Sequence, residues 1–217
     1  MNLKNSMHFW SMMETIWQEF VTGMKATTLL EYVGVVCGIA SVWYSRKENI
    51  LVYPTGIINT IIYIWLSYKG HLLGEAAVNL YYTIMSIYGW WLWTRKDREQ
   101  HTLLHISFSN RKWIVYQLLF FGLFFIVLYV LLTYAKQGFA KEAIPLADSF
   151  AAAAAFTGMW LMAKKKVESW YWWIITNFAS IPLYFIKHYV FTSVYYVVLL
   201  MMAFYGLAEW RKRVKLR

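Results

Sequence analysis

The sequence predicts an all-α integral membrane protein, with seven transmembrane helices arranged three, one, three and a helix in the membrane interface before them. Three observations carry this expectation. Apolar residues make up 60% of the chain, aromatic residues 20% and charged residues only 15%, a balance unlike that of soluble domains. Seven stretches come close to the roughly 20 mostly apolar residues that a membrane-spanning helix requires. The second half of the chain also repeats the first.

The repeat runs from about Gly34 to Lys96 and again from about Ala151 to Arg213. In each copy a basic break follows the first apolar stretch, at Arg46-Lys47 and at Lys164-Lys165-Lys166. An asparagine lies inside the second stretch (Asn59, Asn177), with a lysine ten residues further on (Lys69, Lys187). Both third stretches end in a Tyr-Gly pair and a tryptophan: Tyr88-Gly89 with Trp93, and Tyr205-Gly206 with Trp210. The offset is 118 residues at the asparagines and 117 at the Tyr-Gly pairs, as if one loop residue had been lost. Where two like halves of a membrane protein meet is the place to look for a substrate site.

In chain order, residues 1–27 form an N-terminal arm. Within it Phe9, Trp10, Met13, Ile16, Trp17 and Phe20 recur at helical spacing among Glu14, Gln18 and Glu19, as in a helix lying in the membrane interface. No signal peptide is expected. The first three-helix repeat occupies 28–96, with spans near Leu29–Tyr44, Ile50–Tyr68 and Leu72–Trp93. Residues 97–141 supply a cytoplasmic loop and a linking span, Trp113–Tyr134, which has no repeat counterpart. Three spans per half would insert the second half upside down, so one further crossing restores a parallel arrangement. Its uniformly apolar run, Leu118 to Ile126, suits a strut facing lipid. The second repeat and a basic tail fill 142–217, with spans near Ile144–Ala163, Ser169–Ile186 and Val190–Trp210. Gly34 and Gly38, and the alanine run 151–155, allow close backbone approach. They are expected as packing faces, inside the bundle or between the protomers of a homo-oligomer. Cys37, the single cysteine, permits no intrachain disulfide.

A net charge of +10 raises the possibility of nucleic-acid binding, but the placement of the charge argues for lipid. With seven spans, fifteen of the 21 basic residues fall on one side: those of Arg46-Lys47, Arg95 to Lys112, Lys164 to Lys166 and the C-terminal tail. That side is expected to be cytoplasmic, leaving the N-terminus outside and the C-terminus inside. Charges divided among short loops suit anionic lipid heads, and no nucleic-acid partner is expected.

The sixth span carries Trp170, Trp173, Asn177, Ser180 and Tyr184 within an arc of about 80°. Polar groups in hydrocarbon are costly, so this face should look into the bundle. Trp172 lies off it and fits an interfacial belt. The third span has a similar stripe, with Asn79 and Tyr82 deeper than Trp90, Trp91 and Trp93, which read as belt residues. Asn59 is expected to be the repeat partner of Asn177. Aromatic faces and neutral hydrogen-bonding groups imply a small, ring-containing, polar ligand, neutral or cationic. No carboxylate falls at the centre of a span, so uncoupled movement down a gradient is the simpler mechanism; a shifted fifth span would bury Asp148. No hydrolase, metalloprotease or nucleotide-binding motif occurs, and neither an enzymatic activity nor a cofactor is expected. His101 and His105 have a metal-compatible spacing but lie in a basic loop.

The segment from Trp170 to Tyr184, reading W-Y-W-W-I-I-T-N-F-A-S-I-P-L-Y, resembles the hallmark stretch of the PnuC family of vitamin transporters. Asn79 to Trp93, containing Ile87-Tyr88-Gly89-Trp90, resembles that family's other signature, although many relatives carry glutamine at the position of Asn79. The resemblance spans all seven stretches. It implies a bundle similar to the SWEET sugar transporters and uptake of nicotinamide riboside by facilitated diffusion, followed by trapping by a cytoplasmic kinase. On this basis Trp170 and Trp173 would stack on the ring, Asn177, Asn59 and Asn79 would bond its amide and ribose, and Tyr82, Ser180 and Tyr184 would complete the walls. The alternatives are a related carrier of thiamine or riboflavin, or a SWEET-like sugar carrier.

Overall fold

A computed structural model describes residues 3–69, 73–96, 102–135 and 143–216. These fold into eight helices: α1 (Leu3–Ala26), α2 (Leu29–Arg46), α3 (Val52–Lys69), α4 (Leu73–Thr94), α5 (Arg111–Ala135), α6 (Pro145–Ala163), α7 (Glu168–Ile186) and α8 (Val190–Lys215). The seven expected spans match α2 to α8 to within a few residues, except that α8 continues through the basic tail to Lys215. His101 lies outside the described residues, and no metal-binding group of side chains occurs among the described residues.

By length and composition α5, α6 and α8 each suffice to cross a membrane, and α1 with α2, bent by 104° at their junction, form a fourth candidate. Helices α3, α4 and α7 are diluted by tyrosine, tryptophan and asparagine, whose polar atoms lower their hydropathy without barring them from a bundle interior.

Local sequence sets the helix ends. Thr28 caps α2, its hydroxyl accepting the Glu31 amide at 3.2 Å. Pro145 starts α6, where a missing N–H costs nothing, and Asp148 in the first turn accepts the Ile144 amide. Asp148 also pairs with Lys187 at 2.7 Å, so it sits at a helix end, paired.

Within each half the helices pack in sequence, α2 on α3 on α4, and α6 on α7 on α8. The halves are joined crosswise, α4 against α6 and α2 against α8, while the backbones of α3 and α7 stand apart. The alanine run serves as the packing face expected of it: Ala153 and Ala154 of α6 are fully buried. The linker α5 packs on α6 and exposes most of its surface. Its one buried polar residue, Gln117, accepts a hydrogen bond from Trp172 Nε1 at 3.3 Å. Trp172 is therefore part of the α5–α7 seam, its ring tilted against Phe121 at 5.0 Å, and not a belt residue. Helix α1 lies against the start of α8 through Phe20 and Phe191, and Glu19 reaches His188 at 3.1 Å.

The first-to-second-helix turns of the two halves are built alike. Each has a non-glycine residue at positive φ, Glu48 (57°) and Lys165 (51°), at matching places after α2 and α6. This fixes the structural offset at 117 residues, which holds from there to the ends of the third helices. In that register Asn177 corresponds to Thr60, and Asn59 to Thr176. The apparent asparagine match at 118 is one residue out, which on a helix is a turn of about 100°.

Candidate functional site

A cavity of about 110 Å³ lies between the halves, lined by residues of all six repeat helices. Ser41, Val42 and Ser45 come from α2, Val52 and Tyr53 from α3, and Ser86 from α4. The second half adds Met159, Met162 and Ala163, then Trp170, Trp173 and Asn177, then Leu199 and Ala203. At the 117-residue offset many of these are mates: Val42 with Met159, Ser45 with Met162, Tyr53 with Trp170, and Ser86 with Ala203. The cavity thus straddles the pseudo-two-fold relation, in the gap where α3 and α7 stand apart.

The floor of this cavity, at the basic end of the bundle, is made twice by the same device. Tyr53 lodges on Gly89 and meets Trp93 edge-on, ring centroids 5.2 Å apart. Trp170 lodges on Gly206 and meets Trp210 edge-on at 5.6 Å. A Cβ on either glycine would collide with the ring above it, so both positions require glycine for close approach. Trp93 Nε1 then donates to the Ala163 carbonyl of the other half at 3.1 Å. Trp210 Nε1 donates to the Ser45 carbonyl, also at 3.1 Å and also across the halves. These bonds go to buried carbonyls in the last turns of α6 and α2, where intrahelical donors run out. The Ser45 carbonyl also accepts the Glu48 amide at 3.0 Å, and Trp210 Nε1 is shared with the Arg46 carbonyl at 3.2 Å. Trp93 is therefore a core residue, not the belt residue its position suggested, whereas Trp90 and Trp91 are exposed.

Charges close the same end. Lys165, only 3% exposed, pairs with Glu48 at 2.7 Å, and Arg213 reaches Glu48 from α8 at 3.4 Å. The second turn is further clamped by residues 102–110: Ser107 exchanges backbone hydrogen bonds with Lys165 and Val167, and Glu168 accepts from the Ser109 amide and hydroxyl.

The eight expected site residues divide into three groups. Trp170, Trp173 and Asn177 line the cavity, and among the described residues the Asn177 amide has no hydrogen-bond partner. Trp173 lies over Gly158, with Tyr82 6.2 Å away and Phe156 beyond, so Tyr82 backs the cavity wall. Ser180 and Tyr184 lie further along α7, where Tyr184 stacks on Tyr196 at 5.1 Å. The remaining two, Asn59 and Asn79, have their amides engaged elsewhere. Asn59 Nδ2 donates to the Gly34 carbonyl at 2.7 Å, tying α3 to α2, and Asn79 Nδ2 donates to Glu75 O on its own helix at 2.9 Å. Asn59 faces away from the cavity because it stands one residue out of register with Asn177.

Sequence reading placed Ser86 on the stripe of the third span but left it and Tyr53 out of the expected site, and passed over Ser41 and Ser45. Tyr53 was findable: at the offset given by the Tyr-Gly pairs it is the mate of Trp170. Ser41 and Ser45 carried no signal, since hydroxyls inside apolar helices are common.

The nicotinamide mononucleotide transporter family model matches residues 28–212. The nicotinamide riboside transporter PnuC of Escherichia coli is 21% identical over 201 residues, 83% of this chain and 84% of that protein. PnuC of Neisseria mucosa is 24% identical, covering 95% of this chain and 83% of its own length. The riboflavin/roseoflavin transporter RibM of Streptomyces davaonensis is 21% identical over 183 residues, 83% of each chain. A crystal structure of the vitamin B3 transporter PnuC shares the fold, with a TM-score of 0.67 at 22% identity over 94% of this chain and 89% of that one. With the family match running through both repeats and the linker, the chain belongs to the nicotinamide mononucleotide transporter family, as a multi-pass membrane transporter and not an enzyme.

Proposed function

We propose that this protein takes up nicotinamide riboside by facilitated diffusion, binding it in the cavity between the halves. The observation that carries the reading is the pairing of Trp173 with Asn177 on one cavity wall. An indole face attracts a cationic pyridinium, and an amide without a protein partner can both donate to and accept from a carboxamide or ribose. The named relatives support this substrate, since PnuC proteins are nicotinamide riboside transporters.

The wider account follows from that site. Seven helices, α2 to α8, span the inner membrane in a SWEET-like three-one-three order, with 1–27 as an interfacial arm. The basic end faces the cytoplasm, where a kinase traps the substrate. No carboxylate lines the cavity among the described residues, which favours uncoupled movement. Trp170, Tyr82, Ser180 and Tyr184 shape the path; Asn59 and Asn79 act by holding their helices.

A second reading, a flavin carrier, is favoured by the similarity to RibM. Calorimetric binding of nicotinamide riboside, riboflavin, thiamine and glucose to the purified protein decides between them. Tight binding of nicotinamide riboside alone supports the proposal; tight binding of another ligand with none of nicotinamide riboside overturns it.

A further inference from the structure

Among the described residues, two buried side-chain polar atoms have no hydrogen-bond partner in the protein: the Tyr53 hydroxyl and Trp170 Nε1. Such groups are rare in folded proteins, and each calls for an explanation. These two are not scattered. Both residues line the same cavity, and they are mates at the 117-residue offset. Each ring is lodged on the glycine of its half's Tyr-Gly pair and is 2% exposed or less.

Packing alone does not call for the polar atom at position 53. The hydroxyl lies beside Gly89, but a phenylalanine would keep the ring's own contact there and the edge-on meeting with Trp93, and would remove the cost of a buried hydroxyl. The hydroxyl matters if something entering the cavity pairs with it. In its polar groups the cavity is otherwise lopsided: the second half offers two indoles and an amide, while the first half offers three serines and this phenol. Ser41 Oγ already donates to the Val52 carbonyl at 2.8 Å and Ser45 Oγ to Met162 Sδ at 2.9 Å. That leaves Tyr53 and Ser86 as the first half's uncommitted hydrogen-bonding groups, and of the two only Tyr53 carries a polar atom buried without any partner.

We propose that Tyr53 is a specificity-determining contact for a ligand bearing hydroxyl or amide groups, pairing with it from the first half while Trp170 and Asn177 pair with it from the second. A phenol both donates and accepts, and an indole N–H only donates, so together they suit a ligand rich in acceptors, such as a ribosyl or carboxamide group. A ligand held from both halves also ties its binding to their relative position. This inference rests on the reading that the cavity is the substrate site.

The test compares wild-type protein with Tyr53→Phe, measuring nicotinamide riboside affinity by calorimetry and thermal melting without ligand. Loss of one hydrogen bond should weaken binding about five- to tenfold, while melting stays level or rises. Unchanged affinity overturns the proposal, and so does a lowered melting point, which would make the hydroxyl a structural group. Wild-type protein that ignores nicotinamide riboside but binds riboflavin sinks only the substrate proposed above. The Tyr53→Phe comparison is then read with riboflavin by the same criteria. Wild-type protein that binds neither overturns both.

Discussion

Glu48 and Lys165 occupy the same place in the two halves, adopt the same positive-φ turn conformation, and are bound to each other by an ion pair of 2.7 Å. A charge on one repeat thus meets the opposite charge on its own mate, across the end of the bundle that the two tryptophans also close. Buried pairs of this kind are worth less than their Coulomb energy suggests, but breaking one by removing a partner is costly.

The first prediction concerns that asymmetry. Glu48→Gln leaves the deeply buried Lys165 ammonium facing a neutral amide and should destabilise the protein by about 3 kcal/mol. Lys165→Met should cost less, because Glu48 is more exposed and keeps Arg213 at 3.4 Å. Thermal melting in detergent ranks the two variants; the reverse order would count against the pair's described environment.

The crossing tryptophan bonds should be equivalent. Trp93→Phe and Trp210→Phe each remove one inter-half N–H donor, a loss of roughly 0.5–1.5 kcal/mol apiece. Similar losses in melting are expected from both. A large effect from only one would show that the two halves are not held by the same device.

Glycine substitutions separate close approach from mere helix content. Gly206→Ala and Gly89→Ala push a methyl into the Trp170 and Tyr53 rings and should cost about 1–3 kcal/mol each by overpacking, with weaker ligand binding. Gly122→Ala on α5 meets nothing within 4 Å and should be neutral or mildly stabilising in the same assays.

The two asparagines make a paired test of register. Asn177→Ala should reduce ligand affinity about tenfold or more with little change in melting, since its amide bonds to nothing among the described residues. Asn59→Ala should lower melting by roughly 1–2 kcal/mol, because the bond to the Gly34 carbonyl is lost. Equal effects of both variants on affinity would restore the equivalence that the sequence suggested.

These asparagines also show what could be read in advance. Helix ends were legible because apolar run length, Pro145 and the basic breaks mark them directly. The face of α7 was legible because helical periodicity groups Trp170, Trp173 and Asn177. What failed was the match between halves: two asparagines 118 apart look like mates, but the turns at Glu48 and Lys165 fix 117. A single residue is invisible in the hydropathy pattern yet rotates a side chain by about 100°. Trp93 and Trp172 were misread for a related reason. Tryptophan near a helix end favours a membrane interface, but a partner across the seam, Ala163 or Gln117, decides in favour of burial, and such partners are distant in sequence.

The most direct test of the central claim is exchange of labelled nicotinamide riboside in proteoliposomes with no proton or sodium gradient. The wild-type protein should exchange it saturably, and Trp173→Ala should reduce that exchange by tenfold or more, as expected from the loss of about 1–2 kcal/mol of cation–π attraction together with the indole's packing. Exchange that requires an imposed ion gradient, or that persists unchanged in Trp173→Ala, would contradict a passive carrier with its site in this cavity.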